Sequence, residues 1–181
     1  MMKSRANGEI YPGIFALLPF RDKEVKKLVC AMKFDNDPEA TRLCAELLHI
    51  GIERLKQSGL LSGGRLYIMP IPSSRLRRWQ KGFNQCENLA ETLRRDFGYS
   101  VNKNILSKPW HSGIRQQKRL DRNERLKSQR AGFLARIPAG MPAEEIFLLV
   151  DDVTTTGATL SAAISTLKGE GLKAMGMALG H

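Results

Sequence analysis

Phe147-Leu-Leu-Val-Asp-Asp-Val-Thr-Thr-Thr-Gly-Ala-Thr-Leu160 joins an apolar run to two adjacent acids, a hydroxyl-rich turn with one glycine, and the start of a helix. Phe147 to Val150 are apolar without alternation, the pattern of a strand buried on both faces of a parallel sheet. Asp151 and Asp152 then fall at its carboxyl end, the edge where open α/β sheets bind ligands. Two carboxylates there can accept hydrogen bonds from vicinal ribose hydroxyls and hold Mg2+, directly or through water. Thr154, Thr155, Thr156 and Thr159 bring hydroxyls. Gly157 permits a tight turn that points successive backbone N–H groups into one cavity. A helix from about Thr159 to Lys168 adds its positive N-terminal end. The ligand that suits such a loop is a phosphorylated sugar. A Walker-type P-loop is disfavoured, because no Gly-Lys-Ser/Thr follows the glycine.

Strands and helices alternate on either side of this run. Val25, Leu28, Val29 and Met32 recur at helical spacing between Glu24 and Lys33. Pro38 suits the first turn of a second helix, whose apolar face of Leu43, Cys44, Leu47, Leu48 and Ile52 continues to about Gln57. Leu66 to Met69 reads as a strand ended by Pro70-Ile-Pro72. Asn84, with Glu87 three residues on, predicts a capping box for a helix carrying Leu89, Ala90, Leu93 and Phe97. Short strands are expected near Val101 and Ile105 and within Gly132 to Ile137, and a last strand from Ala174 to Leu179. The pattern implies an α/β fold with a mainly parallel, doubly wound sheet. Residues 1–58 are expected to form a small N-terminal helical cap or hood and 59–181 the ligand-binding domain, as one compact unit.

Met69 to Gln85 is a second constellation. Ser73, Ser74 and Arg75 follow a strand end and suit a pyrophosphate through hydroxyls, amides and a guanidinium. Arg77, Arg78 and Lys81 add positive charge. Acting with the acidic run, this loop would hold pyrophosphate while the other held ribose and its 5′-phosphate. A third group is Arg115, Lys118, Arg119, Arg122, Arg125, Lys127 and Arg130, preceded by Trp110 and His111. It reads either as a solvated charged helix or as a track for a nucleic-acid backbone, with Trp110 stacking on a base.

Lys+Arg 29 against Asp+Glu 18 gives a net charge of +11, which favours polyanionic partners. No segment approaches a transmembrane apolar length, and the polar first nine residues lack a signal-peptide core. A cytoplasmic protein without membrane insertion is expected. Cys30, Cys44 and Cys86 show no CxxC spacing and do not read as a zinc site. Cys30 and Cys44, in apolar helical patterns, are expected as buried reduced thiols. Cys86 adjoins the second constellation without an evident activator.

The acid and Thr/Gly run resembles the phosphoribosyl-pyrophosphate (PRPP) signature of type I phosphoribosyltransferases. Pro70-Ile-Pro72, the basic loop, and Gly82-Phe-Asn-Gln85 before an apolar helix narrow that resemblance to the ComF competence-protein family, a branch of the fold associated with natural transformation. Val29 to Phe34 is similar to the family's short Leu/Phe-Lys-Phe segment, and Gln117-Lys-Arg-Leu120 to its Gln-x-x-Leu. The resemblance implies a sheet of the type I phosphoribosyltransferase kind. It further implies PRPP contacts at Ser73, Ser74, Arg75, Asp151, Asp152, Val153, Thr154, Thr155, Thr156, Gly157, Ala158 and Thr159, extended by Arg77, Lys81, Asn84, Gln85 and Arg119. Asp151, Asp152 and Arg75 would be the catalytic residues, with Mg2+ at Asp151 and Asp152 through PRPP or water. The basic segment around Arg119 would close over the site and exclude water.

The implied function is PRPP binding in DNA uptake, with phosphoribosyltransferase activity if the protein turns over. Implied partners are single-stranded DNA or DNA-uptake and recombination proteins, together with self-association. A nucleobase-salvage transferase and a non-catalytic PRPP-sensing scaffold are the alternatives. The family's usual four-cysteine zinc ribbon is missing from this sequence, so functions of that ribbon do not carry over. Nor do contacts through the family's Thr and Asn, where Ile114 and Ser128 stand. With His181 directly after the last strand, only the N-terminal helices are expected to serve as a hood.

Overall fold

The structure, a computed structural model, describes residues 8–73, 82–108, 132–142 and 144–181. Glu9–Tyr11 (β1) and Ile14–Leu18 (β2) form a hairpin turned at Pro12-Gly13. Asp22 caps Lys23–Cys30 (α1), which continues into one π-helical turn, Ala31–Asp35, ended by Asn36 at φ 52°. Asp37 caps Pro38–Gln57 (α2) by accepting the N–H groups of Glu39 and Ala40. Then follow Leu66–Pro70 (β3), Gln85–Phe97 (α3), Ser100–Val101 (β4), Leu106–Ser107 (β5), Leu134–Ala135 (β6), Ile146–Val153 (β7), Ala158–Gly169 (α4) and Lys173–Gly180 (β8).

The main sheet has the order β1-β2-β8-β7-β3-β4, and every neighbour pair except β1/β2 is parallel. This is the mainly parallel, doubly wound α/β architecture that the sequence implies. Period-two alternation divides the core between its faces. Ile146, Leu148 and Val150 of β7 join Ile68, Met177 and Leu179 under α1, α2 and α3. Phe147 and Leu149 join Met69, Ala174 and Ala178 under α4 and the small β5/β6 pair. Small residues let α4 lie close: a Cβ on Gly176 would stand 3.1 Å from Leu160 and 3.2 Å from Ile164.

Topology locates the crevice. From β3 the chain leaves through α3 to β4 on one side, whereas from β7 it leaves through α4 to β8 on the other. The adjacent carboxyl ends of β3 and β7 are therefore the topological switch point, where open α/β sheets bind ligands.

The sequence reading gives residues 9–18 no strand, yet β2 pairs in parallel with β8 and is part of the main sheet. The hairpin is short, and its turn at Pro12-Gly13 breaks the periodicity that would reveal it. The capping box at α3 is also different from the expected one. Asn84 caps the N–H of Cys86, but Glu87 Oε1 accepts the Asn84 side-chain amide at 3.1 Å. Among the described residues no helix is long and apolar enough to cross a membrane.

Gly64 enters β3 against the backbone of Glu144, and a Cβ there would sit 1.7 Å from that carbonyl oxygen. Gly64→Ala must part β3 from β7 at their start. The expected loss is roughly 3 kcal/mol, since backbone displacement beside a core strand belongs to the severe class of substitutions. A urea midpoint within error of the unsubstituted protein would contradict this.

Candidate functional site

Alternation along β7 sends its two acids to opposite faces. Asp152 continues the row of Leu148 and Val150 toward α1–α3, and there Lys33 meets it, Nζ to Oδ2 at 2.5 Å. Lys33 comes from the π-helical turn. Gln85 donates to the Lys33 carbonyl at 2.8 Å, and Asn88 donates to Asn36 Oδ1 at 3.2 Å, so the first turns of α3 hold that turn in place. Asp151 continues the row of Phe147 and Leu149. Its Oδ1 accepts the Cys86 thiol at 3.6 Å and the backbone N–H of Asp152 at 2.9 Å. Asp152 Oδ1 accepts the N–H of Val153 at 2.7 Å.

Burial, then the neighbouring charge of Asp152, pushes the Asp151 carboxyl up to about 7. Burial, then the charges of Asp151 and Asp152, pushes the Cys86 thiol well above its ordinary range. Cys44 is raised to about 12, first by burial and then by Asp152. Both thiols are thus protonated at neutral pH and are not nucleophiles. Cys30, expected to be buried, is only partly so.

Beyond β7 the chain makes the hydroxyl-rich turn. The Thr154 amide is engaged by Gly180 at 2.9 Å, and the buried Thr154 hydroxyl accepts the N–H of Gly157 at 3.2 Å. Gly157 at φ 70° is the N-cap of α4 and makes no side-chain cap. The first-turn amides of that helix therefore lack the carboxylate or amide oxygen that Asp22, Asp37 and Asn84 give the other helices. Thr155, Thr156, Ala158 and Thr159 are exposed at this helix end.

Two ring side chains brace the turn from outside. Tyr11 donates its hydroxyl to the Thr155 carbonyl at 3.2 Å, and His181 Nδ1–H donates to the Thr154 carbonyl at 3.0 Å. The two rings meet edge-on at 5.8 Å. Within the turn the Ala158 N–H donates to the Thr156 hydroxyl at 3.4 Å, so hydroxyls rather than a carboxylate line this helix start.

The β3 side is held at the same level. Pro70 lies opposite Val150, and the Ile71 N–H donates to the Val150 carbonyl at 3.1 Å. Asn84 donates to the Ile71 carbonyl at 3.2 Å. Ser73 Oγ is buried without a hydrogen-bond partner, an orphan polar atom two residues beyond Ile71. Asp151, Asp152 and the 153–159 turn are therefore contiguous, and Pro70–Ser73 departs from the adjoining strand. Asn84 and Gln85 are buried with their amides engaged inside the protein. Ser74, Arg75, Arg77, Lys81 and Arg119 lie outside the described residues, as do Trp110, His111 and the rest of the third basic group.

Sequence reading missed Lys33, Tyr11 and His181 as members of this site. The Lys-Phe pair ending the first helix was a signal for Lys33; nothing local to Tyr11 or His181 announced theirs. Among the described residues no three His, Cys, Asp or Glu side chains converge as a metal cage. The acid pair fits Mg2+ only as an ion held chiefly by ligand oxygens and water, the usual manner of Mg2+ beside phosphates.

No family model matches the chain. It is 27% identical over 146 residues to competence protein F of Haemophilus influenzae, covering 81% of this chain and 62% of that relative. The chain thus spans under two thirds of that relative's length. Two solved structures align with 93% of the chain. They are the adenine phosphoribosyltransferases of Leishmania tarentolae (TM-score 0.49, 14% identity, 78% of that chain) and Leishmania donovani (0.48, 12%, 71%).

Two outcomes are expected. An ordinary Asp titrates near 3.9, so raising Asp151 to about 7 leaves stability unaffected below pH 4 and imposes a penalty that grows to pH 7 and is complete above it. Asp151→Asn should therefore stabilise the ligand-free protein by about 1–3 kcal/mol at pH 8 relative to pH 4; equal urea midpoint shifts at both pH values would contradict this. Gly157→Ala forces a left-handed backbone onto alanine and brings a Cβ 2.6 Å from the Tyr11 ring. Its cost should be about 1–3 kcal/mol in a thermal melt, falling when Tyr11→Ala opens the space.

Proposed function

We propose that this chain is a ComF-like PRPP-binding protein that serves DNA uptake. The single observation carrying the pocket reading is the junction after β7: two acids at a topological switch point, followed at once by a glycine-capped helix start. In this reading Asp151 and Asp152 accept the ribose hydroxyls. The amides and hydroxyls of residues 155–159 take the 5′-phosphate at the positive end of α4. Ser73, whose hydroxyl is buried without a partner, with Ser74 and Arg75 takes the pyrophosphate. Mg2+ bound with the diphosphate would neutralise the leaving pyrophosphate.

If transfer occurs, a nitrogen nucleophile attacks the anomeric carbon as the bond to pyrophosphate breaks, and the electron pair leaves on the pyrophosphate oxygen. Positioning of the sugar and stabilisation of the departing charge then supply most of the acceleration. The role in DNA uptake draws on the similarity to competence protein F and on the net charge of +11. The basic group from Arg115 to Arg130 is the proposed surface for single-stranded DNA.

PRPP with Mg2+ should raise the melting temperature, and Asp151→Asn with Asp152→Asn should abolish that shift. A shift retained by the double variant would remove the assignment of the acids. A pyrophosphate-release screen against nucleobases separates a salvage enzyme, which turns over with one base, from a sensor, which turns over with none. Single-strand binding should weaken steeply with salt and again with Arg119→Ala/Arg122→Ala. Binding indifferent to salt would contradict the DNA role.

A further inference from the structure

The acid pair already holds a cation supplied by the protein. We propose that Lys33 is the resident counter-ion of this site. It makes the pocket select sugar phosphates that arrive metal-free or carrying their own metal, while turning away free divalent ions. The inference rests on the sugar-phosphate reading of the pocket and adds to it a rule for how the pocket is loaded.

Lys33–Asp152 is unlike the helical surface pairs of this protein. Lys27–Glu24, Arg42–Glu46 and Lys56–Glu53 each join side chains one turn apart on exposed helix faces. Lys33 instead reaches from the end of the first helix to the end of β7. The Asp152 side chain it meets is only 11% exposed, and its own is 28% exposed. Its backbone is fixed by Gln85, and its turn departs from α-helical winding, a feature frequent at functional sites.

Two of the three remaining carboxylate oxygens are engaged. Asp152 Oδ1 takes the Val153 N–H, and Asp151 Oδ1 takes both the Asp152 N–H and the Cys86 thiol. A free divalent ion seeking several anionic oxygens would meet an ammonium at one of them and backbone or thiol donors at two others. A ribose brings hydroxyl donors, which need only replace the Lys33 contact. The flexible four-carbon stem then leaves the Lys33 ammonium beside the anionic oxygens of the same ligand.

The test uses the full chain with Mn2+ alone as the probe, followed by water-proton relaxation. Unsubstituted protein should bind Mn2+ no more tightly than a surface carboxylate. Lys33→Met and Lys33→Gln should bind it at least about tenfold more tightly, as removal of a unit charge in contact with a carboxylate requires. Adding Asp152→Asn should cancel that gain. Ribose 5-phosphate should bind the unsubstituted protein equally with and without EDTA.

Equal Mn2+ affinity with and without Lys33 would overturn the proposal. So would a ribose 5-phosphate affinity that collapses in EDTA. Should both Lys33 variants fail to fold, tight Mn2+ binding by the unsubstituted protein overturns it and weak binding supports it. If neither ribose 5-phosphate nor PRPP binds, the pocket reading itself falls, and the Mn2+ comparison still decides whether Lys33 guards the acids.

Discussion

Two adjacent carboxylates at the end of a strand whose preceding five residues are fully buried must be compensated from both faces of the sheet. Most of the local architecture follows from that constraint. Alternation along β7 splits the acids, so no single group can serve both. Asp152 receives Lys33 from the helical face, Asp151 receives Cys86 from the start of α3, and backbone N–H groups serve one oxygen of each. The π-helical turn, the α3 N-terminus and β7 consequently meet at one point. Compensation remains incomplete, because burial and Asp152 still hold the Asp151 carboxyl far above its ordinary range.

The Gly82-Phe-Asn-Gln85 run gains a physical reading from this convergence. Asn84 caps α3 and holds the exit of β3 through the Ile71 carbonyl. Gln85 holds the turn that bears Lys33. Their amides tie together the elements on which the proposed ligand contacts stand. The β1/β2 hairpin and the C-terminal histidine brace the opposite rim, through Tyr11 on Thr155 and His181 on Thr154.

What was legible in the sequence was what is encoded locally. The apolar run of β7, its two acids, Gly157 and the amphipathic helices can each be read within a dozen residues. The α/β class follows from their alternation. The β2 strand was not legible: Ile14–Leu18 is five apolar residues beside a Pro-Gly turn, and its place in the sheet comes from pairing with β1 and with the remote β8. Lys33 was hidden for a different reason. Its partner Asp152 is remote in the chain, and a lysine at a helix end is ordinarily a solvated charge. Cys86 stands beside the Asn84-Gln85 pair in the sequence, but its thiol contact with Asp151 depends on how α3 docks across β7.

The most direct measurement is a crystal structure of the chain with PRPP and Mg2+. The expected density places the ribose hydroxyls on Asp151 and Asp152 and the 5′-phosphate on the amides of residues 155–159, with Lys33 turned from Asp152 toward the ligand. Density for the ligand away from the carboxyl ends of β3 and β7, or a site that stays empty at saturating PRPP with Lys33 still on Asp152, would contradict it.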